Sequence, residues 1–128
     1  MSRIYGIGND LLRVERMEKA LSRHGERLPQ RILHPCEQAR YAASKRKANF
    51  LAKSFAVKEA TVKALGLGFR GIGHSDVGWT QDPLGKPLLR LSDLGQSLFD
   101  ERQICASHLT LTDEAGMVMA VVVLETEA

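Results

Sequence analysis

The stretch "FAVKEATVKALGLG", residues 55–68, sets a glutamate between two lysines in an alanine-rich run and ends in Gly-x-Gly. At helical spacing Leu51, Phe55, Val62 and Leu65 form one apolar stripe, which Lys58 interrupts. The adjoining stripe carries Ala52, Ala56, Glu59, Lys63 and Gly66. The periodicity predicts a long helix from about Ala48 to Leu65, suited to the core of a small protein. Glu59 and Lys63 stand four residues apart, one turn from each other on one face. Two readings fit that spacing. One is a surface ion pair worth about 0.3–0.5 kcal/mol. The other is a metal-binding carboxylate followed by a phosphate-binding ammonium, with Gly66 and Gly68 letting backbone approach the phosphate. Mg²⁺ is commonly held by one or two carboxylates plus substrate phosphate oxygens, so the second reading calls for another carboxylate.

Working outward, "RIYGIG" (3–8) reads as a short strand whose glycines admit close neighbours. Asn9 or Asp10 can cap a helix beginning at Leu11. Asp10, at that strand–helix junction, is the candidate second carboxylate, with an ordinary N-cap as its alternative role. Val14, Met17 and Leu21 give this first helix a core stripe, and His24-Gly25 closes it. A second helical segment covers 35–44 and leads into the basic turn "KRK" at 45–47. After the long helix, "GFRGIGHSD" is a glycine-rich connection. "VGWT" (77–80) and "LLRL" (88–91) read as strands around "QDPLGKP", and Ser92 caps a short helix. "SHLTLT" and "MVMAVVVLE" form a hairpin around "DEAG", the second strand apolar enough to be buried on both faces. With no repeat or linker, residues 1–128 are expected to form one α+β domain, a small antiparallel sheet with a long central helix.

Hydrophobic residues at 44% and charged residues at 26% are ordinary globular proportions, and a net charge of +3 only mildly favours acidic partners. Two cysteines, Cys36 and Cys105, are too few and too distant for a disulfide or zinc framework. The start "MSRIYGIG" leaves no apolar signal region, and the longest apolar run, 117–124, falls well short of a membrane helix. A cytoplasmic protein with no membrane partner is expected.

The combination of "YGIGNDLLRVERM" with "FLAKSFAVKEATVKALGLG", joined by "LGKP" and the closing "LTLTDEAGMVMAVVVLE", resembles the holo-(acyl-carrier-protein) synthases. These are the short bacterial 4′-phosphopantetheinyl transferases, and the likeness covers essentially the whole chain. It implies transfer of 4′-phosphopantetheine from coenzyme A to a serine hydroxyl of apo acyl carrier protein, releasing adenosine 3′,5′-bisphosphate. It implies that Asp10 and Glu59 hold Mg²⁺, that Lys63 approaches coenzyme A phosphates, and that Lys45 and Arg46 contact the 3′-phosphate and adenine end. It further implies a homotrimer with sites shared between neighbouring chains.

Arg13, Arg16, Arg23 and Arg27 fall at offsets 0, 3, 10 and 14, one face of the first helix if that helix persists so far. A segregated arginine stripe suits an acidic helix, and the resemblance implies that Arg13, Arg16 and Arg23 dock the acidic carrier protein. Three positions depart from the family pattern. Ser54 stands where an arginine is usual, Leu67 replaces the threonine of Gly-Thr-Gly, and Asp113 occupies the place of a hairpin histidine. His108, five residues earlier, does not inherit that histidine's role. Ser54 is expected to face the ligand cleft. The rival readings are a non-catalytic relative that binds coenzyme A or carrier protein, and a small basic nucleic-acid-binding domain. The latter lacks the aromatics for stacking, since aromatics are only 5% of the chain.

Overall fold

The computed structural model describes residues 1–127. Strand β1 (Arg3–Arg13) leads into helices α1 (Val14–His24), α2 (Arg27–Ile32), α3 (Pro35–Ala43) and the long α4 (Lys47–Leu65). A 3₁₀ turn (His74–Asp76) precedes strands β2 (Val77–Gln81) and β3 (Pro87–Leu91). Helix α5 (Asp93–Glu101) and strands β4 (Ile104–Glu114) and β5 (Met117–Thr126) follow. The sheets are antiparallel, a three-stranded one ordered β1-β5-β4 and the two-stranded β2-β3.

Helix α4 lies against the three-stranded sheet, and the contact is closest at β1. A Cβ built on Gly6 would lie 1.9 Å from the Ala64 carbonyl oxygen, and one on Gly8 would lie 1.9 Å from that of Ala60. Both glycines therefore belong to a backbone-on-backbone approach that no other residue permits. The alanines of α4 supply the matching flat surface, with Ala52, Ala56 and Ala60 fully buried.

The expected helix start at Leu11 is not observed. β1 continues to Arg13, and Asp10 sits within the strand opposite Ala120, not at a helix cap. Pairing with β5 runs through Leu12, which is buried, so extended backbone stays favoured there. The helix begins at Val14, whose N–H donates to Gly116 O at 2.8 Å, and Arg13 offers no side-chain cap. Gly25, at φ 58°, then ends α1 as expected. The four-arginine stripe is broken in consequence. Arg13 belongs to β1 and Arg27 opens α2, so only Arg16 and Arg23 ride on α1.

β5 departs from the expectation of burial on both faces. Val118, Ala120, Val122 and Leu124 are fully buried on the side towards α4, while Met117, Met119, Val121 and Val123 are only partly covered. Val123 is opposite Ile7 and Met119 opposite Leu11, so these form the outer sheet face. Ile7 and Leu11 are 61% and 56% exposed.

The glycine contact generates a stability prediction. Gly8→Ala should destabilise the protein by about 2–3 kcal/mol through overpacking against Ala60, whereas Asn9→Ala on the outward face should change little. Urea denaturation curves that leave Gly8→Ala at wild-type stability would remove the close approach as the organising contact.

Candidate active site

Residues of β1 that face α4 alternate as Gly6, Gly8 and Asp10, carrying the Asp10 carboxylate to the helix just beyond the glycine contact. Lys63 reaches across from α4, its Nζ 3.3 Å from Asp10 Oδ1. Asp10 Oδ2 is buried without a hydrogen-bond partner among the described residues. Lys63 is thus paired with Asp10, and the surface ion pair expected with Glu59 is not the arrangement observed. Glu59 turns instead to His74, whose Nε2 lies 3.6 Å from Glu59 Oε1. That is an ion-pair distance, too long for a good hydrogen bond. Burial holds the His74 imidazole's pKa below its ordinary value, against the opposing pull of Glu59.

The donor set fits a hard divalent cation that also binds substrate phosphate. Asp10 offers a buried unpartnered oxygen, and Glu59 projects from the same helix as Lys63 with its side chain partly exposed. Among the described residues no group of three or more His, Cys, Asp or Glu side chains converges for a metal. A two-carboxylate site completed by phosphate oxygens does not require one.

Gly66 ends α4 at φ 79° and Gly68 follows at φ 62°, while a Cβ on either would meet nothing within 4 Å. Within one chain their requirement is left-handed backbone, not crowding. Lys45 and Arg46 are exposed in the turn before α4. From Arg46 to Glu59 the helix rises about 20 Å, so one chain does not bring the basic turn and the carboxylates together.

Ser54 does not face the cleft. It is fully buried and accepts a hydrogen bond from Trp79 Nε1 at 2.9 Å. Being one turn before Lys58, it shares the α4 face that looks towards β2, and Glu59 lies about 100° further round the helix. Lys58 itself is no surface interruption of the apolar stripe. Fully buried, its ammonium donates to Glu37 Oε1 at 2.6 Å and to the Val77 carbonyl. Glu37 Oε1 also accepts from His34 N at 2.9 Å, tying the start of α3 to the middle of α4. Burial pulls the Lys58 pKa below its ordinary value, and the adjacent Glu37 carboxylate opposes that pull.

Asp113 accepts from Asn49 Nδ2 at 3.0 Å and stands 3.3 Å from Lys53 Nζ, and the Asn49 hydrogen bond leads the lowering of its pKa. His108 contacts Glu125 Oε2 at 2.5 Å and pairs in register with Val123 on the outward sheet face, away from the side of Asp10. His74 and the Lys58–Glu37 pair were not found by periodicity. The lysine signalled itself only by falling in an apolar stripe, and His74 sits in an irregular segment with no repeat to read.

A sequence profile of the 4′-phosphopantetheinyl transferase superfamily matches residues 6–122. The chain belongs to that superfamily. Within this superfamily it is 46% identical over 123 residues to a holo-[acyl-carrier-protein] synthase of Vibrio cholerae, spanning 95% of this chain and 98% of that protein. Its fold is similar to the crystal structure of the holo-[acyl-carrier-protein] synthase of Neisseria meningitidis, with a TM-score of 0.92 at 35% identity over 95% and 98% of the two chains. The Helicobacter pylori synthase in complex with coenzyme A matches with a TM-score of 0.80 at 30% identity, over 92% of this transferase chain and 98% of its own.

The interior position of Ser54 sets a clear expectation. Ser54→Arg should destabilise this transferase by about 3 kcal/mol or more, because it buries an unpaired charge against Trp79. Ser54→Ala should cost about 1 kcal/mol through the orphaned indole N–H. Thermal melts showing Ser54→Arg as stable as wild type would return the side chain to the cleft.

Proposed function

We propose that the chain transfers 4′-phosphopantetheine from coenzyme A to a serine hydroxyl of apo acyl carrier protein, with Mg²⁺ held by Asp10 and Glu59. The observation that carries the reading is the meeting of Asp10 and Lys63 at the β1–α4 contact, with Asp10 Oδ2 left without a partner. Membership of a family that includes a coenzyme A complex supports the choice of substrate. Mg²⁺ bound at these carboxylates supplies neutralisation of the diphosphate and of charge on the leaving group.

The chain's own residues account for the rest. Lys63, more than half exposed at its side chain, is free to leave Asp10 for a phosphate oxygen, a charge-assisted contact of similar strength. Gly66 and Gly68 present open backbone just beyond it. The serine oxygen forms a bond to the phosphorus nearest the pantetheine, and the bond from that phosphorus to the bridging oxygen breaks. Adenosine 3′,5′-bisphosphate departs with the bonding electrons. Glu59, directly or through water, accepts the serine proton. Ser54 removes no cation from this cleft, which weakens the case for a non-catalytic relative.

Assembly as a homotrimer with shared sites fits two features. The outer sheet face presents Ile7, Leu11, Met119, Val121 and Val123 as one apolar surface, and such patches favour protein contact. The separation of Lys45 and Arg46 from Glu59 is met if a neighbour's basic turn completes the coenzyme site. Docking of an acidic carrier protein is assigned to Arg16 and Arg23 on α1, with Arg13 beside them at the end of β1.

Incubation with coenzyme A, Mg²⁺ and apo carrier protein, followed by mass spectrometry, tests the reaction. Asp10→Ala and Glu59→Ala should each nearly abolish transfer, with the double variant no worse than either, because both remove the same ion's contribution. In the same assay Arg23→Glu should raise KM for the carrier protein and leave that for coenzyme A unchanged. Full activity in either carboxylate variant would sink the site assignment.

Ile7→Lys should convert the assembled protein to monomers in sedimentation and lower transfer with it. An unchanged sedimentation coefficient would exclude this face as the interface.

A further inference from the structure

The His74 ring is clamped between two phenylalanines, with centroids 3.9 Å from Phe69 and 5.4 Å from Phe55 at interplanar angles of 22° and 18°. The Arg16 guanidinium lies over the Phe55 ring at 5.5 Å from its centroid. Clamped this way, the imidazole has little freedom to turn. Its Nε2 is buried without a hydrogen-bond partner, and Glu59 Oε1 faces it at 3.6 Å. A lone pair directed at a carboxylate oxygen is repelled and an N–H is attracted, so proximity to Glu59 selects the tautomer with its hydrogen on Nε2. A shift of about half an ångström closes the gap to hydrogen-bonding range. The stack permits that movement along the ring plane without losing aromatic contact.

We propose that His74 is a positioning residue for Glu59, donating from Nε2 to Oε1 and thereby leaving Oε2 as the oxygen presented to the divalent cation. The inference rests on the reading of Glu59 as a metal ligand. Carboxylates that bind metals are themselves held by hydrogen bonds, and losing such a partner weakens metal affinity by about 10–100-fold. Here the donor comes from a separate segment, the 3₁₀ turn, so the glycine-rich connection after α4 folds back to complete the site on the helix it leaves. The Phe55 and Phe69 rings serve the same purpose by fixing where the imidazole points.

The test separates the donor from the ring. His74→Phe keeps the aromatic stack and removes the N–H, while His74→Gln keeps a donor and gives up the stack. Mn²⁺ is titrated into each protein in the presence of coenzyme A, with free Mn²⁺ read by its EPR signal, and melting temperatures are measured alongside. His74→Phe is expected to melt near wild type, bind Mn²⁺ about 10–100-fold more weakly and keep its KM for coenzyme A. His74→Gln is expected to recover much of the metal affinity despite a lower melting temperature. Wild-type Mn²⁺ affinity in His74→Phe overturns the proposal. So does a loss of affinity in both variants that follows their melting temperatures, since that assigns His74 to packing alone. Glu59→Gln, titrated in parallel, guards the premise. Undiminished Mn²⁺ binding there overturns the metal reading of Glu59 and this inference with it, whereas failure confined to His74→Phe overturns the inference alone.

Discussion

Everything at the site depends on how closely β1 can lie on α4. Two glycines, Gly6 and Gly8, bring strand backbone against the carbonyls of Ala64 and Ala60. That contact leaves no room for a side chain at either position, so the first side chain on that face able to do chemistry is the next one along, Asp10. Its depth and direction follow from the strand's alternation, and Lys63 is within reach because it lies one turn from Ala60 on the same helix. The carboxylate and the ammonium meet because two backbones touch, not because either side chain is long.

The opposite flank of α4 is held by a different kind of force. Lys58 and Glu37 are fully buried and joined at 2.6 Å, with the Val77 carbonyl as a further acceptor. Breaking such a pair by removing one partner is far more costly than never having built it. The pair fastens α3 and β2 to the helix turn that bears Glu59, while Trp79 is fastened to Ser54 one turn earlier. Neighbouring residues 58 and 59 therefore point different ways, the first anchoring the helix and the second turned towards His74.

Much of this was legible in the sequence, and the failures share a cause. The extent of α4, the cap at Ser92, the stop at Gly25 and the first hairpin follow from local signals and appear where expected within a residue or two. The second hairpin is found with β4 starting three residues earlier than read, at Ile104. Asp10 lies inside β1 and not at the expected strand–helix junction, because capping residues and strand residues look alike when the strand's partner lies at the far end of the chain. Ser54 was placed in the cleft by analogy to an arginine, while its partner Trp79 lies on a strand that helical spacing cannot see. The four-arginine stripe assumed one helix where Gly25 divides two. His74 is invisible to periodicity, because its meaning lies in the two rings that clamp it. Local chemistry is readable, whereas Asp10 and Ser54 take their surroundings from segments distant in sequence.

The pairing of Arg3 with Thr126 has a consequence for the birth of the molecule. β1 is synthesised well before its hydrogen-bonding partner β5, which follows the other described elements of the fold. Until that strand emerges, β1 has no neighbour in its sheet, and the sheet-facing side of α4 waits uncovered. Bringing such distant segments together carries a loop-closure cost that local helices avoid, so α1 to α4 can form early while the sheet cannot. The geometry proposed for Asp10 is consequently late to appear, and a nascent chain acquires it only after β5 has emerged to pair with β1.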